Sequence, residues 1–252
     1  MIVVGTSGWQ FDNWDGRFYA SDTPKANWLS VYANAFDSVE VNNTFYQRPD
    51  AEKLRRWREQ TPDSFTFSIK ANRYITHLKK FIDPEEPLQT LYRSLEPLGD
   101  SLGPILFQCP PNWHQNVDRL EAFLDELSDH HRHAFEFRDS TWFHPATLDA
   151  LTRHDAAFCI YELGSKQRSP IAQTADFAYV RLHGPETAYE GAYSDEALTT
   201  WARRARDWSR EGRDVFVYFN NTSGEGHAPF DARRFRKVLA EGEGADEERE
   251  AA

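Results

Sequence analysis

Charged or polar residues occupy every second position in several short aliphatic runs of this chain, and that spacing is where chemistry could begin. In Ser38-Val39-Glu40-Val41-Asn42, the period of two of a strand puts Ser38, Glu40 and Asn42 on one face and both valines on the other. Thr66-Phe67-Ser68-Ile69-Lys70, Ala134-Phe135-Glu136-Phe137-Arg138 and Tyr179-Val180-Arg181-Leu182-His183 divide the same way. Val215-Phe216-Val217-Tyr218-Phe219-Asn220 adds Tyr218 and Asn220 to the polar face. Ions on an interior face cost on the order of several kcal/mol each unless they are paired or used. Either Glu40 and Glu136 neutralise Lys70, Arg138 and Arg181 in an internal network, or these strand ends form a site. Three cations against two carboxylates leave the cluster near +1, which suits a small anionic or polyhydroxylated ligand.

In the functional reading, Glu40, Lys70, Glu136 and His183 are the catalytic set. Glu40 or Glu136 would be the general acid or base, with His183 or His77 as a second proton-transfer group. Arg138 and Arg181 would grip a pair of anionic oxygens. Lys70, crowded by the arginines, has its charged form disfavoured and fits a base or an imine-forming nucleophile. The binding set expected from strand ends and the loops that follow is Thr6, Trp9, Asn42, Tyr46, Asn72, His77, Gln108, Arg138, Trp142, Arg181, Tyr218, Asn220 and Asn221.

No cofactor motif is present. A divalent metal held by Glu40, His77, Glu136 and His183 is the second enzyme reading, of the kind used by sugar isomerases and phosphodiesterases acting on abasic DNA. Its weakness is the lack of H-x-H or H-E-x-x-H spacing and the nearness of arginines. A two-carboxylate glycosidase on Glu40 and Glu136 is a variant that their separation decides. The third reading is a non-catalytic module for single-stranded nucleic acid or a nucleotide, with Lys70, Arg73, Arg138 and Arg181 on phosphates and mouth aromatics stacking on bases. A formal charge of −11, from 29 basic and 40 acidic residues, disfavours it.

Something must hold these residues. Eight strand-like runs begin at intervals averaging about 30 residues, the length of a strand, a helix and two loops. They are Ile2–Thr6, Ser38–Asn42, Thr66–Lys70, Ile105–Gln108, Ala134–Arg138, Ala157–Tyr161, Phe177–His183 and Val215–Asn220. Helical periodicity fills most of the gaps, with Asp50, Asn116 and Asp195 as N-caps. The expected fold is a single α/β domain over 1–240, a (β/α)8 TIM barrel with an incomplete or missing helix after its sixth strand. An open doubly wound sheet is the alternative, but no G-x-G-x-x-G follows the first strand. Residues 241–252 are acidic, have no apolar face and are expected to form an unstructured tail.

With 252 residues, of which 40% are hydrophobic, the chain can bury a core. No run approaches the roughly 20 apolar residues of a membrane span. Met1-Ile2-Val3-Val4-Gly5 does not resemble a leader, and Cys109 and Cys159 lie in apolar runs as two buried thiols, so a soluble cytoplasmic protein is expected. His130-His131-Arg132-His133 looks like a metal tract, but it precedes the fifth strand and belongs to a solvated loop on the opposite face. Arg203, Arg204, Arg206 and Arg210 read as the outer face of a helix. Trp28, Trp57, Trp201 and Trp208 read as helix packing.

The ordered motifs also resemble a known family. Gly5-Thr6-Ser7-Gly8-Trp9 with Trp14, Val39-Glu40-Val41-Asn42-Asn43-Thr44-Phe45-Tyr46 with Pro49, and Phe67-Ser68-Ile69-Lys70 with Ile75-Thr76-His77 are similar to motifs of the domain of unknown function 72 (YecE-like) family. So are Leu102-Gly103-Pro104 with Gln108 and Pro110-Pro111, Glu136-Phe137-Arg138 with Trp142, Arg181-Leu182-His183-Gly184 and Tyr218-Phe219-Asn220-Asn221. The resemblance implies a TIM barrel with a polar pocket at its C-terminal mouth and supplies no reaction. Asp139 stands where the family usually has histidine, and Cys109 where it usually has leucine, so a role for that histidine is not available here.

Overall fold

The computed structural model describes residues 1–242 in full and follows the backbone to Glu250. Alternation governs the strands. Outward-facing Val39, Val41, Phe67, Ile69, Phe107, Phe135 and Phe137 join helix residues such as Leu54, Trp57 and Leu120 in one large core. Inward-facing Val3, Leu106, Ala134, Ala157, Cys159, Phe177, Tyr179, Phe216 and Tyr218 form a second, smaller cluster. A sheet with apolar contacts on both faces needs both covered; here helices cover the outer face, and the inner cluster is made almost wholly of the sheet's own residues, which curl around it.

The strands are β1 (Ile2–Ser7), β2 (Ser38–Val41), β3 (Thr66–Lys70), β4 (Leu102–Cys109), β5 (His133–Phe137), β6 (Ala157–Phe158), β7 (Ile160–Leu163), β8 (Gln167–Arg168), β9 (Phe177–Leu182) and β10 (Asp214–Phe219). Their order across the curled sheet is β6-β5-β4-β3-β2-β1-β10-β9-β7-β8. All neighbours pair in parallel except β7 with β8. The helices are α1 (Trp28–Ala33), α2 (Ala51–Glu59), α3 (Glu85–Leu95), α4 (Val117–Leu124), α5 (Pro145–Arg153), α6 (Asp195–Arg210) and α7 (Ala228–Glu250).

The sixth expected strand is divided at Cys159. Ala157 and Phe158 pair with Ala134 and Phe135 of β5, whereas Ile160 to Glu162 pair with Val180 to Leu182 of β9. A short hairpin, β7 with β8, occupies the stretch where a sixth helix would stand. Two of the expected caps are in place: Asp50 accepts from the Lys53 amide at 2.7 Å and Asn116 from the Arg119 amide at 2.9 Å. The third moves by one residue. Ser194 has the extended backbone that a cap needs and accepts from the Ala197 amide at 3.1 Å, leaving Asp195 as the first helical residue.

Trp28, Trp57, Trp201 and Trp208 are buried, as their helical positions suggest. Cys109 and Cys159 are buried free thiols. Among the described residues no helix is long and apolar enough to cross a membrane. The unstructured tail expected from residue 241 is met at its start by α7, and the rest of that expectation falls on residues 243–252, outside those described in full.

Candidate functional site

Strand register brings the charged side chains together. β1 sets Ser7 beside Glu40 of β2, and β9 lies between β10 and β7 so that Arg181 is flanked by Tyr218 and Tyr161. Glu40 is fully buried and fully engaged. Its Oε1 accepts from Ser7 Oγ at 2.6 Å and from an Arg181 terminal nitrogen at 2.7 Å, while Oε2 accepts from the Tyr179 hydroxyl and Arg181 Nε, both at 2.8 Å. Arg181 also donates to Glu136 Oε2 at 2.5 Å and lies 3.5 Å from Asn42 Oδ1. Arg138 Nε donates to Glu136 Oε1, and another Arg138 nitrogen lies 3.2 Å from His183 Nε2.

The electrostatics follow from that geometry. Burial pushes the Glu40 carboxyl up, but the Arg181 charge and the hydrogen bonds from Arg181, Ser7 and Tyr179 outweigh it and hold it below its ordinary value. Glu136 is held well below its own, burial being outweighed by the charges of Arg138 and Arg181. His183 is fully buried; burial first and Arg181 second push it down to about 3, so the ring is neutral at pH 7. Asn220 fixes that ring, its side-chain amide lying 2.8 Å from Nδ1. Tyr189 meets it edge-on at 5.4 Å.

The neighbouring side of the mouth, at the ends of β3 and β4, is built differently. Lys70 is half-buried and donates to Gln108 Oε1 at 2.6 Å, with its ammonium 4.1 Å from the centre of the Phe45 ring. Among the described residues it has no ion pair. Burial lowers its pKa to about 8, with Arg181 the next cause and Glu136 and Glu40 opposing. The crowding by arginines expected from sequence is therefore real but second to burial. His77 packs edge-on to Phe45 at 4.9 Å and lies 2.8 Å from Thr76 Oγ1 through Nδ1. Burial, followed by the charge of Lys70, lowers His77 to about 4.

Several expected site residues face elsewhere. Thr6 is the outward neighbour of Ser7; its amide and hydroxyl meet the Tyr32 hydroxyl at 2.8 and 2.9 Å. Trp9 is buried against Trp57 of α2, with centroids 5.0 Å apart, and Trp142 stacks on Phe137 at 4.6 Å. Asn221 lies under the loop, donating to Gly191 O at 2.7 Å and Asp231 at 2.8 Å. Asn72 closes a turn, accepting from the Tyr74 amide at 2.9 Å and donating to Thr44 O at 3.2 Å. Tyr218 points inward but below the charged layer, where its hydroxyl lies 2.7 Å from both Ser38 and Ser68. Tyr46 is 73% exposed and lines a cavity beside the mouth.

The metal reading fails on geometry. The Arg181 guanidinium bridges Glu40 and Glu136, His77 lies with Phe45 beside Lys70, and among the described residues no three His, Cys, Asp or Glu side chains could hold an ion. The same bridge fills the gap that a two-carboxylate glycosidase must leave for sugar and water. His130 and His131 do line a depression on the opposite face, but His133 is buried in β5 with its Nε2 3.1 Å from the Tyr92 hydroxyl. Arg204 lies over Trp201 at 5.0 Å.

The sequence reading missed Ser7, Tyr179 and Tyr161. The period-two rule already put Tyr179 on the face of Arg181, and Ser7 was hidden because Thr6 beside it is equally polar. Tyr161, whose ring lies 4.8 Å from the Arg138 guanidinium, is reached only through register. Tyr189 carried no signal in its spacing.

A curled, mostly parallel α/β sheet with a charged cluster at the C-terminal ends of its strands defines the class of this protein. Its family is specific. The family described as "Protein of unknown function DUF72" matches residues 3–252, and the chain belongs to it. It is 27% identical to the UPF0759 protein YunF of Bacillus subtilis over 273 aligned positions, covering 95% of each chain. A DUF72 family protein of Thermotoga maritima superposes with a TM-score of 0.85 at 30% identity, covering 95% of this chain and 99% of that one. Another from Enterococcus faecalis superposes at 0.81 with 21% identity, covering 95% and 96%.

Proposed function

We propose that this protein is an enzyme whose working group is Lys70, acting by acid–base chemistry on a small anionic or polyhydroxylated ligand at the C-terminal mouth. The observation that carries this reading is the half-buried Lys70 amine, lowered to about 8 and paired with an amide and an aromatic face instead of a carboxylate. Such an amine is partly neutral near pH 7 to 8 and can take a proton or attack a carbonyl. Arg138, at the rim of the network, is the group for an anionic oxygen. Asn42 and Gln108, both half-buried, offer amides to ligand hydroxyls, and neutral His77 is the second proton-transfer group. His183 positions Arg138. Glu40 is a positioning residue, since all its acceptor sites are taken and it stays ionised, and Glu136 shares that role through both arginines.

The same reading treats the sheet as a closed eight-stranded barrel in which 157–163 is one strand interrupted at Cys159, because β6 and β7 hold the two flanking strands from consecutive segments. Two unbridged thiols fit a reducing, cytoplasmic compartment. The test is a turnover screen over phosphorylated sugars, sugar acids and keto sugars with the unmodified protein and K70M. Turnover that K70M abolishes, with the circular dichroism spectrum unchanged, is expected. Turnover that survives K70M, or none across the panel, overturns the assignment.

A further inference from the structure

Beside the mouth lies a cavity of about 470 Å3 between the loops after β2 and β3 and the start of α3. That volume is in the range of about 300–1,000 Å3 usual for ligand sites. Two tyrosines with large exposure line it, Tyr46 at 73% and Tyr74 at 47%. The two rings share one hollow with Arg48, Glu86 and Thr90. The wall is fixed: the Asn72 amide is used up on the Tyr74 amide and Thr44 O, and Tyr46 packs edge-on to Phe45 at 5.0 Å. Phe45 is the ring over which Lys70 sits at 4.1 Å, so one aromatic side chain separates the cavity from the reactive amine.

The donor and acceptor set selects the occupant. A guanidinium that only donates, a carboxylate that only accepts and a hydroxyl that does both match the vicinal hydroxyls of a sugar. The Glu86 carboxylate works against a phosphate or a nucleotide in the same place. Tyrosine faces suit the C–H face of a pyranose and leave their hydroxyls for water or ligand. We infer that this cavity is a saccharide subsite that holds a neutral pyranose ring of the ligand between Tyr46 and Tyr74. It deepens the reading above by naming the ligand class, and rests on that reading only for the reacting end that Lys70 would meet.

Saturation-transfer NMR on the full chain tests it, with cellobiose, maltose, mannobiose and N,N′-diacetylchitobiose as probes and AMP as the contrasting class. At least one disaccharide is expected to bind, with affinity falling at least tenfold in Y46A/Y74A and in E86Q/R48M and unchanged in R203A on the outer face of α6. Because all four lining side chains replaced are exposed or peripheral, chemical-shift dispersion will verify that the fold persists. No saccharide binding, binding that survives both double variants, or AMP bound at the cavity in place of sugar would overturn the subsite. The K70M turnover result bears on the mouth alone, so the two readings fail separately.

Discussion

Two sides of one mouth are built on opposite principles. On the side of β2, β5 and β9, Glu40 and Glu136 are held by Arg181 and Arg138 with nearly every lone pair and N–H occupied. On the side of β3 and β4, Lys70 has an amide, a ring face and partial exposure. A saturated buried network resists change because removing one member strands another charge. An amine left without a counter-charge keeps free energy available for a ligand. The internal network expected from the sequence is present on the first side, and the site proposed above rests on the second.

The largest expected effect breaks the saturated side. Arg181→Met strands two buried carboxylates and should cost about 3–5 kcal/mol in urea denaturation, whereas Lys70→Met removes a half-buried charge that has no counter-charge and should raise stability at pH 7. Equal costs would erase the distinction between the two sides. The pH dependence comes next. Glu40 and Glu136 have folded pKa values below their unfolded ones, so their stabilisation is complete above about pH 4.5 and is lost as pH falls through the folded values. His77, lowered to about 4, adds in the same direction: between about pH 4 and 6.5 the unfolded chain binds more protons, and stability rises with pH. At alkaline pH, Lys70 makes stability rise again between about 8 and 10.5, a limb that K70M should flatten; the same variant should shrink the His77 part of the acid limb and leave the Glu40 and Glu136 part in place. Both limbs are read from urea midpoints across pH. The smallest effect is Gln108→Leu, which removes the acceptor of the Lys70 ammonium and should move its midpoint further below 8, read by the pH dependence of amine labelling at that residue.

Much of this was legible because strands write their facing into alternation. Val39 and Val41 around Glu40, or Phe135 and Phe137 around Glu136, leave no doubt about which side is polar, and the family motifs fall on the same residues. Alternation was silent where neighbours were alike: Thr6 and Ser7 are both polar, and only register told which meets Glu40. It could not read the loops, where Trp9 and Trp142 turn outward to Trp57 and Phe137, because hydrophobic burial beyond the strand ends draws them away from the mouth. Nor could it divide the charges, since sequence counts three cations against two carboxylates but does not say which cation goes without a partner.

Among the described residues Lys70 is the cation of the three without a carboxylate partner, and its own ionisation reports that difference. A pH titration of the lysine Cε and Nζ resonances, with the Lys70 signal identified by its absence in K70M, is expected to give a midpoint near 8. A midpoint near 10.5, the ordinary value, would mean that Lys70 is a solvated cation like any other and would contradict the account.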